Sequence, residues 1–167
     1  LPLYHDMGLI GAWLGSLYVG FPLVVMSPLS FLARPMRWLE AIQRWRGTLS
    51  AAPNFAYELC LKRIGDAEIA SLDLSSWRLA FNGAEAVGPD TMERFVERFA
   101  ASGLRPQTMA PVYGLAEAAV GLLFPPLGRP VLIDSIKRDA FEHAGRALPA
   151  EAGESRPLRF VACGRPL

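Results

Sequence analysis

Three short clusters in this sequence combine an aromatic or polar side chain, a glycine and an ionisable group. They are Tyr4-His5-Asp6-Met7-Gly8, Asn82-Gly83-Ala84-Glu85 and Tyr113-Gly114-Leu115-Ala116-Glu117. A histidine beside a carboxylate can hold or orient a proton. A glycine followed by a carboxylate lets backbone approach a ligand closely while a hard oxygen stands nearby. Each cluster also has a plain structural reading. His5 could cap the following helix or pair with Asp6, and Glu85 and Glu117 could be solvated carboxylates near helix N-termini, where negative charge is favoured.

The setting of the clusters is what points to a ligand site, because each follows a predicted strand and α/β sheets bind ligands beyond the carboxyl ends of their strands. Leu1–Tyr4 reads as the end of a strand, Trp77–Asn82 as a strand before the turn Gly83–Gly88, and Gln107–Val112 as a strand running into Tyr113–Glu117. Between them, Leu9–Val19 reads as an apolar helix, Pro22–Ser27 as a buried strand and Thr48–Ala52 as another strand. A helix begins at Pro35 and carries Met36, Leu39, Ile42 and Trp45. A further helix is predicted over Phe55–Ile64, with Asn54 as N-cap and Gly65 as C-cap. Pro89–Ala101 is a helix with Met92, Phe95, Val96 and Phe99 on one face, closed by Gly103, and Val120–Phe124 is a strand. Strand and helix alternation of this kind predicts an α/β fold, a mainly parallel sheet with flanking helices. From Leu127 to Pro157 the pattern weakens, with mixed charges and frequent Pro and Gly, and reads as an insertion holding a short helix over Ser135–Ala144. Leu158–Ala162 then returns to a strand.

Several chemistries are excluded. The chain has no Gly-x-Ser-x-Gly elbow, no Gly-x-Gly-x-x-Gly and no Walker pattern. His5 and His143 are too few for a histidine metal site, and Cys60 and Cys163 stand apart as isolated thiols of a reducing compartment, which points to the cytoplasm. Seventeen Lys and Arg against 16 Asp and Glu leave a net charge of +1, with none of the basic excess that nucleic acid binding requires.

No charged residue occurs from Met7 through Ala33, a run longer than the roughly 20 residues of a spanning helix. Pro22, Pro28 and four glycines interrupt it, so we expect a buried core segment and no membrane span. The Gly11–Gly15 spacing predicts close helix packing or room for a ligand. Leu1 is not an initiator Met and no basic region precedes the apolar run, so a signal peptide is not expected and both ends read as cuts from something longer.

Five segments together resemble the fatty acyl-AMP ligases of the adenylate-forming superfamily: LPLYHDMGLIG (1–11), SPLSFLARPMRWL (27–39), SAAPNFAYELC (50–60), LDLSSWRLAFNGAE (72–85) and PVYGLAEAAV (111–120). The resemblance implies that a fatty acid is activated by ATP to an acyl-adenylate and pyrophosphate, then passed to the phosphopantetheine thiol of an acyl carrier protein. It implies that Glu117 holds Mg²⁺, and that Asn82, Gly83, Ala84, Glu85, Tyr113, Gly114, Leu115 and Ala116 line the adenosine. His5 stands near the reacting carboxylate and phosphate as an orienting group, so His5 and Glu117 are the catalytic candidates. By the same resemblance, Gly11, Trp13, Met26, Asn54 and Phe55 are expected to wall an acyl tunnel, where about 0.8 kcal/mol per buried CH₂ would make chain length selectable. The alternative for those side chains is plain core.

On the same resemblance, residues 1–126 are the central part of the AMP-binding domain, 127–157 the insertion that marks this branch, and 158–167 the return to the domain. The superfamily commonly has Thr where this chain has Ala116, and the branch commonly has Pro where it has Ala86. The phosphate loop and the catalytic lysine of the family belong upstream and downstream of this sequence, so the piece alone is expected to be inactive. An acyl-CoA synthetase is the nearest rival reading, and a degenerate lipid-binding homologue the next.

Overall fold

The strand and helix signals between Met36 and Pro111 become a parallel sheet with helices packed on it. The computed structural model describes residues 1–166; Leu167, the last residue of the expected 158–167 return, lies outside the described residues. Along the chain, a π-helical stretch Met7–Leu14 runs into α1 (Gly15–Val19), followed by α2 (Pro28–Ala33), α3 (Met36–Trp45), β1 (Leu49–Ala52), α4 (Asn54–Arg63), α5 (Asp66–Ile69), β2 (Leu79–Asn82), α6 (Pro89–Phe99) and β3 (Met109–Pro111). Then come β4 (Leu123–Phe124), β5 (Ile133–Ile136), α7 (Arg138–Ala144), β6 (Leu158–Val161) and β7 (Arg165–Pro166).

Strands β1, β2 and β3 lie in that order, all parallel, with Ala52 opposite Asn82 and Asn82 opposite Pro111. Helix α3 buries Met36, Leu39 and Ile42, and α6 buries Thr91, Met92, Phe95 and Phe99, as the apolar spacing of each requires. Pro89 starts α6, and Gly103, at φ +85°, closes the turn after it.

Aromatic rings are the largest side chains of the core. Trp38 packs on Tyr57 and on Trp77, each at 5.3 Å, and Phe95 lies 5.0 Å from Tyr57 and 6.3 Å from Trp77. These four contacts are edge-to-face, the arrangement the ring quadrupoles favour. The polar tips are matched: Tyr57 Oη donates to the Phe81 carbonyl at 2.8 Å, Trp77 Nε1 to Leu79 O at 2.9 Å, and Trp38 Nε1 to Ser50 Oγ at 2.9 Å. The cluster therefore fixes α3, α4 and α6 on the sheet and locks the strand that leads to Asn82.

Beyond β3 the chain forms two antiparallel ribbons, β4 with β7 and β5 with β6. Arg159 on β6 reaches Asp90 at 2.6 Å and Glu93 at 2.5 Å, pinning the second ribbon to α6.

Several expectations fail, each for a physical reason. Leu1–Tyr4 is not a strand but a turn, in which His5 N–H donates to Pro2 O. Pro22–Ser27 has no regular structure, since no strand among the described residues pairs with it. The uncharged run is not core: within Met7–Ala33 the buried residues are Gly8 and Ser16, while Leu17, Tyr18, Val19 and Leu29 are exposed. The sheet's own core is already filled by α3 to α6, and nothing among the described residues covers this face. Gly11 faces open space, so it makes no close helix contact. Among the described residues, no helix is long and apolar enough to cross a membrane.

Asn54 lies inside α4 and does not cap it, because its side chain turns to Asn82, Gly88 and Thr91. Gly65 is extended and opens α5 instead of closing α4; its N–H donates to the Glu68 carboxylate at 3.1 Å. Strand β4 covers only the end of Val120–Phe124, because Ala119 and Val120 take φ of +50° and +80° and turn the chain there. Likewise Ser135–Ala144 divides into the end of β5 and α7, since Ile133–Ile136 finds a partner strand in Leu158–Val161.

Two stability measurements follow. Tyr57→Phe removes the side-chain hydrogen bond to the Phe81 carbonyl and lowers the unfolding free energy by about 0.5–1.5 kcal/mol, read from the denaturant midpoint. Burial pushes the Cys60 thiol from its ordinary 9.0 up to about 12. The unfolded thiol ionises first, so this contribution is complete below pH 9 and is lost as pH rises toward 12. Wild type therefore loses stability more steeply than Cys60→Ala across that window; parallel curves would show that Cys60 stays accessible to its charged form.

Candidate active site

Parallel register brings three chain segments off the sheet side by side. Past the Ala52–Asn82–Pro111 row, Gly83 N–H donates to Ala52 O at 3.4 Å and Val112 N–H to Asn82 O at 2.8 Å. The segments beginning at Asn54, Gly83 and Val112 thus emerge as neighbours at the carboxyl end of the sheet, the position where this architecture holds ligands.

Gly83 is buried, and a Cβ there would stand 2.8 Å from Val112 O. Its missing side chain serves the approach of the neighbouring segment, not the approach of a ligand as the spacing alone suggested. The exposed position is Ala84, whose φ of +68° is sparsely populated for a residue with a Cβ. Glu85 is exposed, and Phe55 N–H donates to its Oε1 at 2.6 Å, so the plain reading of a solvated carboxylate near a helix N-terminus is realised. It neutralises the N-terminus of α4, not that of the helix that follows it in sequence.

Tyr113 is held by both backbone groups, its N–H donating to Leu123 O and its carbonyl accepting from Leu122 and Leu123. Its ring stays half exposed. Gly114 is obligatory, because a Cβ would lie 1.7 Å from Val120 O where the chain doubles back. Leu115 and Ala116 are exposed, and a single 3-10 turn, Ala116–Ala118, carries Glu117 outward.

No group of three or more His, Cys, Asp or Glu that could hold a metal exists among the described residues. At the Tyr113–Glu117 cluster the one carboxylate is that of Glu117, and it is exposed. That fits Mg²⁺, which keeps several waters and takes one or two carboxylates together with substrate phosphates, and does not fit a cation caged by protein alone.

The N-terminal candidates form a second group. His5 Nδ1 stands 2.7 Å from Asp6 Oδ1, and the same oxygen accepts the Met7 N–H at 2.8 Å. Met7 N–H also lies 3.2 Å from His5 Nδ1, so both side chains meet the first helical amide, and the capping and pairing of the plain reading are realised together. Trp13 lines an open apolar groove of about 560 Å³ with Leu3, Leu17, Phe21 and Val25. Gly11 is exposed and Met26 half-buried. No hydrogen bond or ion pair among the described residues links His5, Gly11, Trp13 or Met26 to the strand-end set.

Sequence reading missed Thr91 and Glu58, which extend the strand-end set into α6 and α4. Thr91 Oγ1 donates to Glu58 Oε1 at 2.7 Å and accepts from Asn54 Nδ2 at 3.3 Å. The available signal was the i,i+4 spacing of Asn54 and Glu58 on one helix face.

Residues 1–152 match the family model described as AMP-binding enzyme. The chain is 42% identical over 168 residues to the medium-chain-fatty-acid–[acyl-carrier-protein] ligase JamA of Moorena producens, covering 100% of this chain and 28% of that protein. It is 51% identical over 120 residues to the corresponding ligase TtuA of Teredinibacter turnerae, covering 72% of this chain and 19% of that protein. It also superposes on the fatty acyl-adenylate ligase of L. pneumophila, solved with acyl adenylate and pyrophosphate, at TM-score 0.93 and 40% identity, over 99% of this chain and 29% of that one. The chain thus spans less than a third of the length of these relatives. With the match running over residues 1–152, the chain belongs to the AMP-binding enzyme family.

Proposed function

We infer that the protein carrying this chain activates a fatty acid with ATP and passes the acyl group to an acyl carrier protein. The observation that carries this reading is the convergence of Asn54-Phe55, Asn82–Glu85 and Tyr113–Glu117 at one end of a parallel sheet. The likeness to acyl-carrier-protein ligases and to an acyl-adenylate complex supports it.

In the proposed reaction a fatty acid carboxylate oxygen bonds to the α-phosphorus of ATP, and the bond to pyrophosphate breaks. A carrier thiol then attacks the acyl carbonyl and displaces AMP, losing its proton. Ala84 and Tyr113 to Ala116 form the adenosine wall, with the half-exposed Tyr113 ring as a stacking surface, while the buried Asn82 and Gly83 and the Phe55-bound Glu85 hold that loop from behind. Glu117 offers its carboxylate to Mg²⁺, which when bound offsets phosphate charge. His5, its ring held by Asp6, orients the carboxylate and phosphate without forming a covalent bond. Gly11, Trp13, Met26, Asn54 and Phe55 border the acyl chain, with the Trp13 groove as its apolar floor.

Residues 1–126 and 158–167 belong to the AMP-binding domain and 127–157 to an insertion that disfavours transfer to CoA. Two free cysteines suit a reducing compartment, and we assign the protein to the cytoplasm.

In the full-length protein, Glu117→Ala should reduce ATP–pyrophosphate exchange by at least about 100-fold, the scale of one lost transition-state charge contact, while leaving the far-ultraviolet dichroism unchanged. Retained exchange removes Glu117 from the reaction. Offered ATP, a fatty acid and either CoA or carrier protein, the full-length protein should load the carrier. Efficient acyl-CoA formation would overturn the assignment.

A further inference from the structure

The side chains around Asn54 form a chain of hydrogen bonds whose direction is fixed at one end. Glu58 is a carboxylate and can only accept, so Thr91 Oγ1 must donate to it at 2.7 Å. That leaves the Thr91 oxygen to accept from Asn54 Nδ2 at 3.3 Å, which turns Asn54 Oδ1 the other way. There Oδ1 accepts from Gly88 N–H and from Asn82 Nδ2, both at 3.1 Å. The Gly88 amide can only donate, so the orientation demanded from Glu58 agrees with the one demanded from Gly88. Asn82 is fully buried and its remaining amide proton points to Met92 Sδ at 3.2 Å.

On the opposite side of the same loop, Phe55 N–H donates to Glu85 Oε1 at 2.6 Å. The loop that leaves β2 is therefore tied to the first turn of α4 at both of its ends: at Asn82 and Gly88 through the Asn54 side chain, and at Glu85 through the Phe55 backbone. Between these ties sits Ala84 at φ +68°, a conformation that persists only where its surroundings hold it.

We propose that Asn54 and Glu85 act as a two-sided clasp that makes the 82–88 loop and the first turn of α4 a single unit, coupling the nucleotide side of the site to its acyl side. The proposal rests on the reading above, in which Ala84 and its neighbours face adenosine and Phe55 borders the acyl chain. Asn54 and Glu85 are positioning residues under this proposal. The Glu85 carboxylate is engaged by protein, so the loop presents its backbone to the nucleoside. A nucleotide that orders the loop orders Phe55 with it, and an acyl chain that displaces Phe55 strains the loop. Coupling of this kind is reciprocal, so each substrate alters the affinity for the other by the same factor.

Full-length wild type, Glu85→Ala, Glu85→Gln and Asn54→Ala decide the matter through two readouts. In ATP–pyrophosphate exchange with fatty acids of increasing length, Glu85→Ala and Asn54→Ala should raise the KM for ATP and flatten the chain-length preference together, each by about five-fold or more. Glu85→Gln, whose amide oxygen still accepts from Phe55 N–H, should restore both. In hydrogen–deuterium exchange, a non-hydrolysable ATP analogue should slow the amides of residues 54–58 in wild type but not in Glu85→Ala. A KM change for ATP with chain-length preference unmoved would overturn the clasp, as would an analogue that binds wild type without slowing residues 54–58. Wild type that binds the analogue yet adenylates no fatty acid would remove the proposed function, and the exchange readout would still decide the clasp.

Discussion

The register that sets Ala52, Asn82 and Pro111 abreast is the constraint on which the rest of the site depends. In a parallel sheet, a slip of one residue turns every side chain to the opposite face. Such a slip would take the Asn82 amide out of the interior and away from Asn54, and would separate Gly83 from Val112. The register is held from outside the strands: Tyr57 from α4 bonds the Phe81 carbonyl, and Thr108, just before β3, bonds the Trp77 carbonyl on the approach to β2. Aromatic packing and strand position are thus one interaction viewed from two sides.

That arrangement explains why loops can be built with unusual backbone at the end of the sheet. Ala84, Ala119 and Val120 all have positive φ, and Val120 is β-branched, so these turns carry local strain. Strain of this kind costs on the order of 1–3 kcal/mol per residue and needs a rigid scaffold to hold it. The scaffold is the fully buried set of Trp77, Tyr57, Phe95, Phe99 and Leu39. Burying each such side chain is worth roughly 1.5–3 kcal/mol, enough in sum to offset strained turns.

Legibility in the sequence followed how local each signal was. Helices α3 and α6 and strands β1, β2 and β6 were readable because apolar period, Pro and Gly punctuation and burial all agree there. The run from Met7 to Ala33 misled because hydrophobicity predicts a wish for burial and not the partner that satisfies it. Asn54 and Gly65 misled for a related reason. Cap residues are judged by position, whereas here a long-range contact to Asn82 and Gly88 claims Asn54, and the start of α5 claims Gly65. The strand-end clusters were found as residue types, but what Gly83 and Glu85 do was not, because both act on segments roughly 30 residues away in sequence.

The two groups of candidate residues differ in how they are held, and that difference has a chemical sense. The strand-end set stands on the most constrained part of the molecule, where a buried amide, a positive-φ alanine and a carboxylate-capped helix hold one another. The N-terminal set stands on helices whose apolar faces are open, with His5 bonded within its own turn and Trp13 in a groove. A rigid purine needs fixed backbone groups at set distances, while a flexible alkyl chain needs apolar area and tolerates movement. Recognition of adenosine by the first surface and of a fatty acid by the second would match each ligand's stiffness to the wall that meets it. The first turn of α4, which Glu85 and Asn82 hold and whose Phe55 ring is half exposed, is the place where the rigid surface ends.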